Sequence, residues 1–346
     1  MDNVEIVDLF AGPSGLDLAA RGLGLPVVGI EWDASACATR RAAGLATVEG
    51  DVRDFGPADF PSATVLAGGP PTQTYTVAGN RAGRRALDEV RHLMSRMVDR
   101  KDITADLCKL DDERAGLVLE PLRWALAAMD SRRPYEAIVL EQVPAVLPVW
   151  EAIGEVLSKE GYSVVSGVLR AEEFGVPQTR RRAVLIARRQ GEVELPQATH
   201  RRYRQGIPRT EGNSALLPWV SMGDVLDRPE PFVVVSNYGT GGDPRARGRR
   251  TSAEPAFTVT GKITRCRVQT EDGVDRFSVS EAGRLQGFPA DYPWAGNDQS
   301  QQVGNAVPLP LATRILAAAV GPLNVTPLAG GAAPRREGIP SPDKPQ

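Results

Sequence analysis

The segment Asp8-Leu9-Phe10-Ala11-Gly12-Pro13-Ser14-Gly15-Leu16 places two glycines where a strand would hand over to a helix, a turn at which backbone can approach a ligand closely. The spacing is not GxGxxG. Glu31 stands 19 residues after Gly12, at the end of the next strand-like run, where a carboxylate can accept hydrogen bonds from both hydroxyls of a ribose. Asp51, closing a third such region, is placed to meet an adenine amino group. No P-loop lysine follows the turn, so these residues suit a nucleoside without a triphosphate better than ATP. A packing turn flanked by ordinary surface acids is the competing reading of the same residues.

A second set of residues could do chemistry on a polyanion. The net charge of −2 hides a segregation: residues 178–267 carry 17 Lys and Arg against 8 Asp and Glu, and the remainder carries 24 against 35. The basic residues come in clusters, Arg180-Arg181-Arg182, Arg188-Arg189, Arg201-Arg202 and Arg249-Arg250, with Tyr203, Trp219 and Tyr238 among them. Clustered arginine neutralises phosphate and releases counterions, which supplies most sequence-independent affinity for nucleic acid. An arginine-rich solvated surface would look the same on charge alone.

The elements that must position these residues alternate. Val4 to Phe10 reads as a buried strand, Leu16 to Arg21 as a helix, Val27 to Glu31 as a second strand followed by a helix started by Asp33. Further strands are expected at Ala63 to Ala67, ending in Gly68-Gly69-Pro70-Pro71, and at Glu136 to Val143 and Ala183 to Arg188. This is the α/β pattern of a doubly wound, mostly parallel sheet, whose ligands sit at the carboxyl ends of the strands. From Gln190 to Asp275 the alternation gives way to Pro, Gly, Arg and short β-rich pieces such as Phe232 to Val235 and Phe257 to Val259, the mark of a small irregular second domain. Ser278-Val279-Ser280-Glu281 then resembles a capping box before a short helix closed by Gly287, and Leu309 to Val320 is helical after Pro308.

These readings divide the 346 residues into a large domain, 1–190 plus 276–320, an inserted domain, 191–275, and a Pro/Gly-rich tail, 321–346, expected to be disordered. No apolar run approaches the roughly 18 residues of a membrane span, and the start of the chain lacks a secretory pattern, so a reducing cytoplasm is expected. Cys37, Cys108 and Cys266 are odd in number with no CxxC pair, which argues for buried apolar side chains and against disulfides or zinc. Having only His92 and His200 argues against catalysis that rests on several histidines.

Six motifs in order carry a specific resemblance: the Asp-Leu-Phe-Ala-Gly block, Gly69-Pro70-Pro71, Glu141-Gln142-Val143, Gln178-Thr179-Arg180-Arg181-Arg182, Arg284-Leu285-Gln286-Gly287-Phe288-Pro289, and Gly304-Asn305-Ala306-Val307-Pro308. With these, the chain resembles the DNA (cytosine-5)-methyltransferases to about Val320, and its basic insert falls where that family has its target-recognition domain. The resemblance implies a cofactor, S-adenosylmethionine, released as S-adenosylhomocysteine and held by Asp8, Phe10, Ala11, Gly12, Ser14, Gly15, Leu16, Glu31, Trp32, Asp51, Val52, Pro70, Asn305 and Ala306. It implies double-stranded DNA as the partner, touched by Gln73, Tyr75, Thr76, Asn80, Arg81, Arg84, Gln178 and Thr258, and it admits a cognate restriction endonuclease.

The implied chemistry needs a thiolate that adds to carbon 6 of cytosine, making carbon 5 nucleophilic toward a sulfonium methyl group. Glu141 would serve ring nitrogen 3, Arg182 the ring carbonyl, and Arg180 would support the site. The base must first be flipped from the duplex, with the loop from Gln73 to about Arg85, containing Gly79 and Gly83, closing over it. Two positions depart from the family. Thr72 replaces the motif cysteine, and an alcohol is not ionised where a thiol of pKa about 8.5 can be. Gln142 replaces an asparagine and keeps the amide. The chain is therefore expected to be catalytically silent as written, either an enzyme with its nucleophile exchanged or a DNA-binding relative that has lost activity. Intact Glu141, Gln178, Arg180 and Arg182 favour the first.

Overall fold

Ile6–Leu9 is apolar at three of four positions and lies buried throughout, which is possible only in the interior of a sheet. A computed structural model describes residues 5–71, 81–107, 114–229, 231–237 and 247–321. Its first half alternates as expected: β1 Ile6–Leu9, α1 Gly15–Gly22, β2 Val27–Glu31, α2 Ala34–Ala42, β3 Thr47–Glu49 and β4 Val65–Gly68. Helices α3 Arg81–Val98, α4 Thr104–Leu107, α5 Arg114–Leu117 and α6 Glu120–Asp130 follow, then β5 Ala137–Gln142, α7 Leu147–Lys159, β6 Ser163–Arg170 and β7 Arg181–Arg188. The seven strands form one sheet in the order β3-β2-β1-β4-β5-β7-β6. Five are parallel neighbours, and β7 runs antiparallel to both β5 and β6. The chain order reverses beside β1, so the turns after β1, β2 and β4 open on one crevice.

Each face of this sheet carries a core. Val90, Leu93, Trp124 and Trp150 from α3, α6 and α7 fill one side, and Leu16 and Ala20 of α1 fill the other with Leu311 and Ile315 of α11 Leu309–Val320. The run Gln299–Val320 has the length and hydropathy of a membrane span, but its apolarity is spent on this core, with 61% of its most apolar window buried. Asp33 caps α2 by accepting from Ala36 N at 2.8 Å, as its position suggests.

The basic insert builds a second, antiparallel sheet. After the short helix α8 Met222–Val225 come β8 Val233–Val235, β9 Arg249–Thr251, β10 Arg267–Thr270 and β11 Gly273–Arg276, in the order β11-β10-β8-β9. Phe257 to Val259 is not one of its strands; it is an extended segment bridged to Gln178 through the neighbouring Ala256. The Ser278 and Glu281 capping box is formed at the start of α9 Val279–Leu285, and α10 Gln299–Asn305 completes the helices. Phe277, Ala282, Leu285 and Val303 share a core with Met222, Phe232 and Val268. Phe288, Tyr292 and Trp294 between them pack instead on Leu18 and Ala43 of the large domain.

One buried ion pair, absent from the expected site residues, ties the first half together. The Arg40 guanidinium and the Asp17 carboxylate are fully buried and joined bidentately at 2.6 and 2.9 Å. Arg40 also donates to Ala46 O, to Thr47 Oγ1 and, at 3.4 Å, to Gly12 O. The group passes over Gly29, where any Cβ would collide with it. Every donor is matched, the condition under which a buried pair is tolerated. Arg40→Leu should therefore cost about 3 to 5 kcal/mol in urea unfolding, because Asp17 would be left charged and alone; a loss below about 1 kcal/mol would show that the pair does not hold the domain.

Candidate cofactor and catalytic site

The turn between β1 and α1 is built on unusual backbone. Phe10, Gly12 and Ser14 all have positive φ, at 59°, 56° and 124°. Non-glycine residues rarely adopt such values, and they persist only where the surroundings hold them. Gly12 N donates to Glu31 Oε2 at 2.8 Å, and Gly15 lies so close to the Val307 carbonyl that a Cβ there would collide with it. Ala11, Ser14, Gly15 and Leu16 are buried. Asp8 is also buried, on the strand beneath the turn beside Asp17 and Arg40, and burial together with the Asp17 carboxylate raises its pKa well above the usual range.

Glu31 ends β2 at the mouth of this turn. Its carboxylate accepts from Gly12 N, Trp32 N and Asp33 N, while burial raises its pKa against the pull of those three donors. A carboxylate has about four acceptor positions, so one ribose hydroxyl fits without releasing a backbone bond, where the sequence suggests two. Trp32 beside it is 73% exposed, a large flat ring left in solvent next to an acceptor. Asp51 faces Arg53, which binds its carboxylate through Nε and Nη2 and lowers its pKa, so the carboxylate expected at an adenine amino group already has a partner. Val52 is buried and its carbonyl accepts from Arg123. Ala306 is buried and Asn305 is exposed on the segment that meets Gly15. An acceptor, an exposed ring and a turn with no room for a Cβ fit S-adenosylmethionine.

A second cluster lies at the ends of β5 and β7. Glu141 Oε1 is 2.6 Å from Arg182 Nε, both side chains almost wholly buried. Burial raises the Glu141 pKa although Arg182 and Arg180 both pull it down, which favours a carboxyl that can hold a proton. Gln142 Nε2 donates to Pro70 O at 2.7 Å, and Gln142 Oε1 accepts from Val143 N. The longer amide therefore fastens the Gly69-Pro70-Pro71 turn to the strand that carries Glu141, a role sequence reading did not assign. Thr72, Gln73, Tyr75, Thr76 and Asn80 lie outside the described residues. Arg81 and Arg84 lie on the first turns of α3, so the closing loop expected to reach Arg85 ends earlier, at the helix start.

One expectation is corrected. Gln178, expected at DNA, is fully buried: its amide donates to Leu285 O and Gln286 Oε1 and accepts from Val259 N. Arg180, expected to support the site, is 1% exposed and donates to Val259 O at 2.6 Å and Gly304 O at 2.8 Å, bonds that spend its guanidinium inside the protein. Thr258, half-buried, donates to Thr179 O. Within the basic clusters, Arg250 also turns inward, stacked on Phe257 and Tyr203 and bonded to Pro255 O and Ala256 O. Cys37 and Cys266 are buried free thiols, and burial pushes Cys37 up to about 11; Cys108 lies outside the described residues.

The fold and these two clusters define a class: a doubly wound α/β domain with a glycine-containing, positive-φ turn after its first strand and a buried Glu–Arg pair two strands away. The family model for C-5 cytosine-specific DNA methylases matches residues 4–100, 108–231 and 235–320. Among curated relatives, the type II methyltransferase M1.HphI of Haemophilus parahaemolyticus is 28% identical over 93% of this chain and 88% of its own. The type II methyltransferase M.MthTI of Methanothermobacter thermautotrophicus is 24% identical over 90% and 96%. The solved S. pombe Dnmt2 methyltransferase shares the fold with a TM-score of 0.61 at 16% identity, covering 93% of this chain and 99% of its own. The chain belongs to the C-5 cytosine-specific DNA methylase family.

Glu31→Ala should weaken S-adenosylhomocysteine by about 1 to 3 kcal/mol in calorimetry, through an unpaired ribose hydroxyl and the freed Gly12 and Trp32 amides. An unchanged affinity would remove Glu31 from the cofactor site.

Proposed function

We propose that this scaffold moves a methyl group from S-adenosylmethionine to carbon 5 of a cytosine flipped out of duplex DNA, and that Thr72 leaves the chain able to bind both partners without turnover. The observation that carries this reading is the buried Glu141–Arg182 pair at 2.6 Å beside the Pro70 turn. Burial raises the Glu141 pKa, so that its protonated form can donate to ring nitrogen 3, and a guanidinium beside it can stabilise charge at the ring carbonyl. Arg182 in turn orients Glu141, and Gln142 fixes the Gly69-Pro70-Pro71 segment that precedes position 72 in sequence. S-adenosylmethionine, when bound, supplies an electrophilic methyl group. Glu31, Trp32 and the Phe10 to Gly15 turn would hold it, with Asn305 and Ala306 closing the far side. The alternative, a regulator that binds DNA stoichiometrically on the same scaffold, shares every feature except a nucleophile. The names of the relatives, type II methyltransferases, favour a modification role beside a cognate restriction endonuclease.

Thr72→Cys separates these readings. It should create methyl transfer to carbon 5 of cytosine, with the Thr72 form at least about 10³-fold slower, roughly 4 kcal/mol of transition-state stabilisation. On DNA carrying 5-fluorocytosine the cysteine form should give a covalent adduct stable to denaturation, since proton removal from carbon 5 is blocked. A Thr72→Cys protein that binds cofactor and DNA but neither methylates nor traps any of a broad pool of sequences would establish the stoichiometric binder.

The exposed arginines of the insert generate a second expectation. DNA affinity should fall steeply with salt, and Arg265→Ala and Arg267→Ala, both at exposed positions, should each lower the slope of log K against log salt by about one. Arg250→Ala should leave the slope intact and lower the unfolding temperature, because its guanidinium is bound inside the protein. A flat salt dependence in the unmodified chain would remove the insert as the DNA-binding surface.

A further inference from the structure

β9 is three residues long and lies at the edge of the small sheet, paired with β8 alone. Alternation along it leaves Arg249 and Thr251 exposed and sets Arg250 opposite Val234, a residue of the insert's core. The half-buried Arg250 guanidinium lies against two rings, 4.4 Å from the centroid of Phe257 and 4.8 Å from that of Tyr203. Glycine at 248 leaves room for the first of them, since a Cβ there would press on the Phe257 ring at 3.0 Å. The charge of Arg250 is met by these ring faces and by two consecutive carbonyls, Pro255 O and Ala256 O, each 2.7 Å from Nη1.

One of those carbonyls is shared with the large domain. Ala256 O also accepts from Thr179 N at 2.9 Å, and Ala256 N donates to Pro177 O at 2.8 Å, which makes a bridge between Ala256 and Gln178. Thr258 holds the other backbone group of Thr179 by donating to its carbonyl at 2.6 Å. Further along the same segment, Val259 O accepts from Arg180. Residues 178–180 are the entry to β7, where Arg182 is the second residue, so their course is set by the segment that Arg250 grips. We propose that Arg250 is a positioning residue for the Glu141–Arg182 pair: by holding Pro255 and Ala256 it fixes the entry to β7, and with it the guanidinium groups of Arg180 and Arg182 around Glu141. This rests on the reading of that pair as the groups that act on cytosine, and it adds a residue of the insert that lies outside the six sequence motifs.

Glu141 reports the arrangement without DNA or cofactor. Burial raises its pKa, and Arg182 and Arg180, the charged groups that act on it, lower it. The carbon-13 resonance of its carboxyl, assigned with Glu141→Gln, can be titrated in the unliganded full chain. Arg250→Met keeps an apolar stem against the rings and removes the donor to both carbonyls. The Glu141 midpoint should then move to higher pH, because the guanidinium groups are no longer held close. Arg250→Lys returns a charge and donors on a similar stem and should bring the midpoint part of the way back. A loss of stability alone would lower the unfolding temperature and leave the midpoint in place. Thr258→Val, which frees Thr179 O, should move the midpoint in the same direction and serves as the readout should Arg250→Met fail to fold. In the Thr72→Cys background, Arg250→Met should form the 5-fluorocytosine adduct at least about tenfold more slowly at saturating DNA, with the dissociation constant for DNA changed by less than about twofold. An unmoved midpoint, no return with lysine, or a moved midpoint with an unchanged adduct rate would each overturn the proposal. A Thr72→Cys protein that binds DNA and cofactor without forming any adduct would instead overturn the functional reading, and the titration would still decide whether Arg250 sets the pair.

Discussion

The guanidinium of Arg180 joins the parts of this protein that must act together. It is buried without a carboxylate bonded to it, and its charge is met by the carbonyl oxygens of Val259 and Gly304, with Ala306 further off at 3.4 Å. Those oxygens belong to the insert and to the segment that returns to the cofactor turn. Two residues earlier, Gln178 closes on Leu285, Gln286 and Val259, and two residues later Arg182 reaches Glu141. A spacing of two puts all three on one side of an extended chain. Leaving such buried carbonyls unpaired costs about 1 to 3 kcal/mol each, so the small sheet and the Glu141–Arg182 pair are held in register by a single edge of backbone.

The strain in the cofactor turn has a matching support. Phe10 and Ser14 hold φ values that L residues avoid, and nothing local to the turn favours them. Bonds from outside keep it in shape: Gly12 N to Glu31, Gly12 O from Arg40, and Pro13 O from Tyr292. Arg40 in turn depends on Asp17, in the first turn of α1. A backbone that would relax if left alone is thereby available to a ligand in one conformation, which reduces the ordering cost of binding.

Much of this was legible in the sequence where the cause is local. β1 and β2 follow from short apolar runs, α2 and α9 from the Asp33 and Ser278 caps, and the inserted module from the loss of alternation after Gln190. β6 was not legible, because Ser163–Arg170 is an edge strand half-buried along most of its length and shows no clean alternation. The motifs located Glu141, Arg180, Arg182 and Gln178 but not their burial: a polar residue type suggests contact with solvent or ligand, and only the packing shows that Gln178 and Arg180 spend their groups on carbonyls and amides of the same chain. Asp17 with Arg40, and Tyr292 with Ser14, pair residues whose separation in the chain carries no periodic signal.

The contact of Gly15 with Val307 orders events during synthesis. Val307 follows Gly15 by roughly 290 residues, and α11, which covers α1, comes later still. A nascent chain that has released the first six strands, and even the whole small sheet, still lacks the wall of its cofactor turn and the lid over one face of its large sheet. Leu16, Ala19 and Ala20 stay uncovered until then. Closure by so distant a segment is a slow, non-local step in folding, and it means that no truncated product of the ribosome has this turn in its finished form.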